Sequence, residues 1–230
     1  MKRVLVLNGS PKATSDTMVA TRAFLRGLES GFENDCLVEA VDVIRKNIQP
    51  CLGCFTCWKQ ADGHCAVYDD DQNEILNSYV EADIIVWSFP LYVYAMPSHL
   101  KAVLDRTIPL NVQKMVVADG EVRHETLVDF SRKKTVVISG CGFPDWENNF
   151  AGVRIMCKNA FRNPTMICFP EAPMLNAPEA KEIAGSLIER FYQAGREFAQ
   201  RGSLCNETVA SLEAPMIPAG AYLAVVNGGV

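Results

Sequence analysis

Hydrophobic and polar positions along the chain follow two periods that take turns. Short runs with almost continuously apolar interiors come at Arg3-Val4-Leu5-Val6-Leu7, Asp83-Ile84-Ile85-Val86-Trp87-Ser88, Lys134 to Ser139 and Thr165-Met166-Ile167-Cys168-Phe169. A further run, Asp35 to Val43, alternates. Runs this short and rich in β-branched residues predict strands, most of them buried on both faces. Elsewhere apolar residues recur at helical spacing, as in Met18, Val19, Phe24, Leu25 and Leu28. A second helix is predicted after Asp69-Asp70-Asp71, running to about Glu81, the acids suiting a first turn where negative charge meets the helix dipole. Others are predicted from Pro97, as first helical residue, to about Thr107, from about Asn148 to Phe161, and from Pro178 to about Gln200. Asn111 to Ser131 reads as a loop insertion with a short hairpin around Ala118-Asp119-Gly120. Leu204 to Val230 carries Pro215 and Pro218 and has no clear period.

Strands alternating with helices in this way imply an α/β fold with one five-stranded parallel sheet, strand order 2-1-3-4-5, and helices on both faces. Residues 1–203 are expected to form this domain. Residues 204–230 are expected to form an extension that packs on it or on a neighbouring subunit.

Ligands of such sheets bind beyond the carboxyl ends of the strands. Three of those ends carry unusual loops, residues 9–17, 89–96 and 140–144, and the strand order puts them side by side. The first, Gly9-Ser10-Pro11-Lys12-Ala13-Thr14-Ser15-Asp16-Thr17, joins a strand to a helix. The first N–H groups of a helix lack internal partners, and the dipole adds positive character there. With hydroxyls from Ser10, Thr14, Ser15 and Thr17, the loop could seat a phosphate monoester. Without a ligand, the same residues would make an ordinary turn capped by Ser15 or Asp16. Neither G-x-x-x-x-G-K-[ST] nor G-x-G-x-x-G is present, so the nucleoside-triphosphate loop is excluded and the usual dinucleotide loop is not indicated. The second loop, Phe89 to Met96, is aromatic and apolar; the third, Gly140-Cys141-Gly142-Phe143-Pro144, is small and glycine-rich. Together they suit a flat heteroaromatic ligand that bears a phosphate.

Composition narrows the classes. The 230 residues are 49 % hydrophobic and 21 % charged, which fits a globular chain able to bury a sizeable core. A net charge of −5 argues against nucleic acid as a partner. No apolar run reaches the roughly 18 residues a membrane span needs. Met1 leads straight into a strand with no secretion signal, and nine cysteines fit a reducing compartment, so a cytoplasmic location is expected.

Four of the cysteines, Cys51, Cys54, Cys57 and Cys65, form C-x2-C-x2-C-x7-C. Iron–sulfur clusters need four converging thiolates, and C-x2-C-x2-C supplies three from one loop. A zinc site usually splits its ligands into two separated pairs. A redox-active pair such as Cys54 and Cys57, a disulfide, or plain loop thiols are the other readings. His64 reads as a solvated neighbour. Cys36, Cys157, Cys168 and Cys205 are dispersed and read as small core residues.

Asn8-Gly9-Ser10-Pro11-Lys12 with Thr17, then Ser88-Phe89-Pro90-Leu91-Tyr92, then Lys101 and Asp105-Arg106, resembles the flavodoxin-like NAD(P)H-dependent FMN reductase family. The cysteine cluster resembles the iron–sulfur flavoprotein branch. The likeness covers the first 110 residues well and the rest loosely. It implies a flavodoxin-like fold, bound FMN, a homodimer or homotetramer, and electron transfer from a nicotinamide to a small-molecule or redox-protein acceptor. By position, it implies that Ser10, Lys12, Ser15, Asp16 and Thr17 surround the FMN phosphate. Pro90, Leu91, Tyr92 and Val93 would line the isoalloxazine, partly through backbone N–H groups, and Gly140, Cys141 and Gly142 would approach its other edge. Asp16 departs from the family's Asn: a carboxylate repels a phosphate unless it turns away. Lys101, Asp105 and Arg106 read as a helix face with an ion pair. No catalytic side chain is required, because the chemistry would be the cofactor's. In the iron–sulfur branch the same resemblance implies a [4Fe–4S] cluster at Cys51, Cys54, Cys57 and Cys65 and an electron carrier. A third possibility is a flavin-free binding module that keeps the fold.

Overall fold

The computed structural model describes residues 1–118 and 120–228; Asp119, at the centre of the predicted hairpin, Gly229 and Val230 lie outside it. The elements that carry the sheet are β1 (Lys2–Asn8), β2 (Cys36–Asp42), β3 (Ile84–Pro90), β6 (Lys134–Gly140) and β7 (Thr165–Phe169). All neighbours are parallel, in the order β2-β1-β3-β6-β7. Counted within this sheet alone, the order is 2-1-3-4-5. The predicted insertion supplies β4 (Asn111–Ala118) and β5 (Glu121–Thr126), an antiparallel pair separate from the sheet.

The continuous apolar runs have a simple cause. Successive side chains of a strand point to opposite faces, and both faces are covered. Val4, Val6, Val86, Ile138 and Phe169 pack on one side with α1 (Asp16–Gly31) and α6 (Lys181–Arg201). Leu5, Leu7, Ile85, Trp87 and Val137 pack on the other with residues of α3 (Gln72–Glu81), α4 (Ser98–Asp105) and α5 (Glu147–Ala160). α1 and α6 cross at unusually close range. A Cβ built on Gly27 would lie 1.9 Å from the Tyr192 carbonyl, and one on Gly195 would lie 1.9 Å from the Phe24 carbonyl. The two glycines admit backbone where side chains would otherwise stand.

Several expectations need correction. The acids 69–71 precede α3 instead of opening it. Asp70 turns inward to Arg106, and Asp71 accepts from the Asn47 N–H at 2.6 Å. Partners elsewhere in the chain thus outcompete the helix dipole. Pro97 stands one residue before α4. Lys101 and Asp105 do form an ion pair, but Arg106 leaves that face and is buried. The stretch from Leu204 onward contains two short helices, α7 (Asn206–Glu213) and α8 (Ala219–Val226). Two turns are too few to display a period. α7 buries Leu212, and its Glu213 accepts from the Cys168 N–H of edge strand β7 and from Arg154, each at 2.8 Å. Of the dispersed cysteines, Cys157 and Cys168 are buried, whereas Cys36 and Cys205 are half-buried.

Candidate functional site

The chain leaves β1 at Asn8, whose side chain fixes the turn. Its carboxamide oxygen accepts from the Ser10 N–H at 3.0 Å, and its nitrogen donates to Asp42 at 2.8 Å. Below the loop, the His99 Nε2–H donates to the Gly9 carbonyl at 2.9 Å. The Ser15 hydroxyl accepts from the Met18 N–H at 3.1 Å and caps α1, so Ser15 rather than Asp16 is the cap. Asp16 and Thr17, the first residues of α1, have no intrahelical acceptor for their N–H groups. Ser10, Ser15 and Thr17 are buried, while Thr14 is exposed. Both oxygens of Asp16 are engaged: Asn176 donates to one at 2.6 Å, and the Lys12 ammonium lies 3.6 Å from the other.

These residues form one end of an open cleft at the carboxyl ends of the strands. Ser10, Lys12, Ser15, Asp16 and Thr17 meet there with Pro90, Leu91 and Tyr92 and with Gly140, Cys141 and Gly142. Val93 is not among its walls. Tyr92 and Ala95 exchange backbone hydrogen bonds at 3.0 Å around Val93 and Tyr94, which have φ of 47° and 62°. This is a two-residue hairpin turn with both central residues left-handed, and it carries Val93 outward to 91 % exposure. A β-branched residue there is strained, and no Gly or Asn announces the turn.

Two of the expected backbone donors of this loop are also engaged within the chain. The Leu91 N–H donates to the Gly140 carbonyl at 2.9 Å and the Tyr92 N–H to Ala95, while Pro90 has none. Gly140 has a structural cause of its own: a Cβ there would lie 2.7 Å from the Phe169 ring and 2.8 Å from Ala172. Around Gly142 the space is open, with the nearest atom, of Pro173, 3.8 Å from a built Cβ. Burial pushes the Cys141 thiol up, so it stays protonated at neutral pH.

Sequence reasoning missed the loop after β7. Ala172 and Pro173 line the cleft as well, and the Ala172 N–H donates to the Cys141 carbonyl at 2.8 Å. Pro170 and Pro173 at a strand end could have flagged it. Glu171 is fully buried, with φ of 56°, and one carboxylate oxygen accepts from the N–H groups of Met216 and Ile217 at 2.6 and 3.2 Å. Burial outweighs those two donors and raises its pKa.

The four clustered cysteines line a second, shallow cavity that shares no residue with the cleft. Left-handed Gly53 and Phe55 fold the loop into it, and a single helical turn, α2 (Cys57–Gln60), closes it. The Gly53 N–H and the Thr56 hydroxyl each reach a sulfur at 3.4 Å, of Cys51 and Cys54 respectively. The Thr56 bonds lower the Cys54 pKa, whereas burial raises that of Cys57. At Cys65 burial is outweighed by the backbone N–H groups of Val67 and Tyr68 and by Arg106, which lower it. His64 pairs with Asn77 instead of facing the thiols. Phe55, Trp58 and His124 stack with centroids 4.5 and 4.8 Å apart, so the β4–β5 hairpin covers the loop. All nine cysteines are free thiols. Among the described residues, no three His, Cys, Asp or Glu side chains close on a point that would hold one metal ion. A zinc ion makes that demand. A four-iron cluster does not, since each thiolate binds a different iron around a larger volume.

The family model described as the flavodoxin-like fold matches residues 2–159, more than half of the chain. The chain belongs to the flavodoxin-like family. Within the part aligned, this flavodoxin-like chain is 32 % identical over 111 residues to an iron–sulfur flavoprotein of Methanocaldococcus jannaschii, covering 48 % of this chain and 54 % of the relative. It is 36 % identical over 110 residues to an iron–sulfur flavoprotein of Archaeoglobus fulgidus, covering 47 % and 46 %. The match thus spans about half the length of these relatives. The fold also superposes on an azoreductase from Bacillus anthracis, with a TM-score of 0.62 at 16 % identity over 86 % of this chain and all of the other. Among the described residues, no helix is long and apolar enough to cross a membrane.

Proposed function

We propose that this protein is an oxidoreductase that binds FMN in the cleft and passes electrons from NAD(P)H to a small-molecule or protein acceptor. The observation that carries the reading is the cleft itself. One end offers buried hydroxyls at an open helix N-terminus, and the walls beyond it are apolar and close-set. That end suits a single phosphate, which favours FMN over an unphosphorylated flavin. The curated relatives are named as flavoproteins, in agreement.

In this reading Ser10, Ser15 and Thr17, with the first N–H groups of α1, hold the phosphate. Asp16 is compatible because Asn176 and Lys12 hold its carboxylate. Leu91, Tyr92, Cys141 and Gly142 position the ring system, with Pro173 behind it, and exclude water from it. When bound, FMN supplies the acceptance of hydride from a nicotinamide and its release as electrons. No side-chain acid or base is assigned. The test is fluorescence titration of apoprotein with FMN. Quenching that saturates, and is abolished by Ser10→Glu with its carboxylate in the anion site, is expected. Unchanged affinity in that variant would overturn the assignment of the loop.

A second reading is favoured by the thiol cavity: the four cysteines hold a [4Fe–4S] cluster, in keeping with relatives named iron–sulfur flavoproteins, and the chain acts as an electron carrier. Cys54→Ser in anaerobically purified protein should then lose iron and the brown absorbance. Unchanged iron would count against it.

A further inference from the structure

The cavity lined by the four cysteines also holds one end of an arginine that the proposed chemistry has not used. Arg106 is 2 % exposed. Its Nη1 makes the ion pair with Asp70 and also donates to the Gln49 carbonyl at 3.2 Å. The ring of Tyr68 lies under the guanidinium, 5.1 Å from centroid to Cζ. Nε and Nη2 are buried and have no hydrogen-bond partner. A guanidinium carries five N–H donors in a fixed fork, so the side facing away from Asp70 keeps donors for which the Cys65 sulfur is the acceptor at hand. Arg106 is also one of the walls of the thiol cavity, and its charge reaches Cys65.

A buried cation with orphaned donors needs an anion or an acceptor. Asp70 supplies one negative charge, and the backbone carbonyl supplies one acceptor. The cavity supplies the rest if what fills it accepts hydrogen bonds, and best if it is anionic. A cluster held by four thiolates is such a filling. It is net negative in both oxidation states, more so after it accepts one electron, and its sulfurs accept hydrogen bonds.

We propose that Arg106 is the positioning residue of the thiol cavity, whose free donors serve the sulfurs of an iron–sulfur cluster and whose charge favours the reduced state. This rests on the cluster reading above. Asp70 and Tyr68 hold the guanidinium in place: the carboxylate fixes one edge, and the ring supports its face. The ion pair therefore reaches beyond stability and sets the ease with which the cluster accepts an electron.

The experiment is a mediated redox titration, followed by electron paramagnetic resonance, of protein reconstituted with iron and sulfide. Wild type is compared with Arg106→Gln and Arg106→Lys. Loss of the charge and its donors in R106Q should lower the reduced-to-oxidised ratio at fixed potential by about tenfold, or about 59 mV for one electron. R106K keeps the charge but not the fork and should shift the same way by less. It answers the question if R106Q does not fold. Folded variants that no longer retain iron would also support the proposal. Retained iron with a ratio within twofold of wild type in the folded variants would overturn it, since a purely structural arginine would leave the potential alone. Wild-type protein that takes up no iron and sulfide would defeat the cluster reading itself, and the proposal with it. The flavin bands serve as the internal control, because the cleft shares no wall with the thiol cavity.

Discussion

The hydroxyl of Tyr222, on α8, donates to the carbonyl of Gly142 at 2.7 Å. Gly142 lines the cleft, and Tyr222 is buried. The C-terminal stretch therefore braces one wall of the candidate flavin site. Tyr222→Phe leaves the ring in place and removes one hydrogen bond, worth about 1 kcal/mol net. We expect FMN affinity to fall by about fivefold by fluorescence titration, with the fold intact by circular dichroism. Unchanged affinity would mean that the contact is incidental to the cleft.

Gly195→Ala tests the helix pair that supports the phosphate loop. The new Cβ would stand 1.9 Å from the Phe24 carbonyl, and backbone cannot give way as a flexible side chain can. Forced separation of α1 and α6 should cost about 3 kcal/mol or more, by denaturant unfolding. A loss below about 1 kcal/mol would contradict this packing.

Asp70 and Arg106 are both 2 % exposed at the side chain. Asp70→Ala strands a buried guanidinium and should cost about 3–5 kcal/mol. Burial opposes the Asp70 carboxylate, yet Arg106 and the Gln49 N–H outweigh it and lower its pKa. The stability this contributes is present above the ordinary carboxylate value and lost as pH falls through the folded value. The acid limb of stability against pH should thus be shallower in D70A than in wild type.

Glu171 has the opposite sign. Burial raises its folded pKa, so stability from the protonated form is complete below the ordinary glutamate value and lost as pH rises through the folded one. Glu171→Gln can still accept from Met216 and Ile217 without the charge. The gain in Tm of E171Q over wild type should grow between roughly pH 4 and pH 7. A gain that shrinks over this range would reverse the assignment.

The sheet was legible because both of its faces are buried, which makes the strand runs almost continuously apolar. Thr165–Phe169 appears as a strand with the same bounds in sequence and structure. The phosphate loop was legible because its hydroxyls are close in sequence. What escaped was long-range. Ala172 and Pro173 line the cleft, and Tyr222 braces it, from segments whose hydrophobic pattern carries no signal of it. Arg106 reads as part of a helix face, yet its partner Asp70 lies 36 residues earlier. Val93 misled because two residues with no turn signature adopt left-handed conformations. The acids at 69–71 misled because a local rule, charge at a helix start, yields to a buried cation that only the fold brings near.

The central claim is that the cleft holds an electron-carrying flavin. An absorption spectrum of anaerobically purified protein, before and after addition of NADH or NADPH, tests it most directly. We predict two flavin bands that bleach with the nicotinamide. Bands riding on a broad brown shoulder and scarcely changed by it would favour the electron carrier fed by another donor. A spectrum that stays featureless after FMN is added would contradict the account.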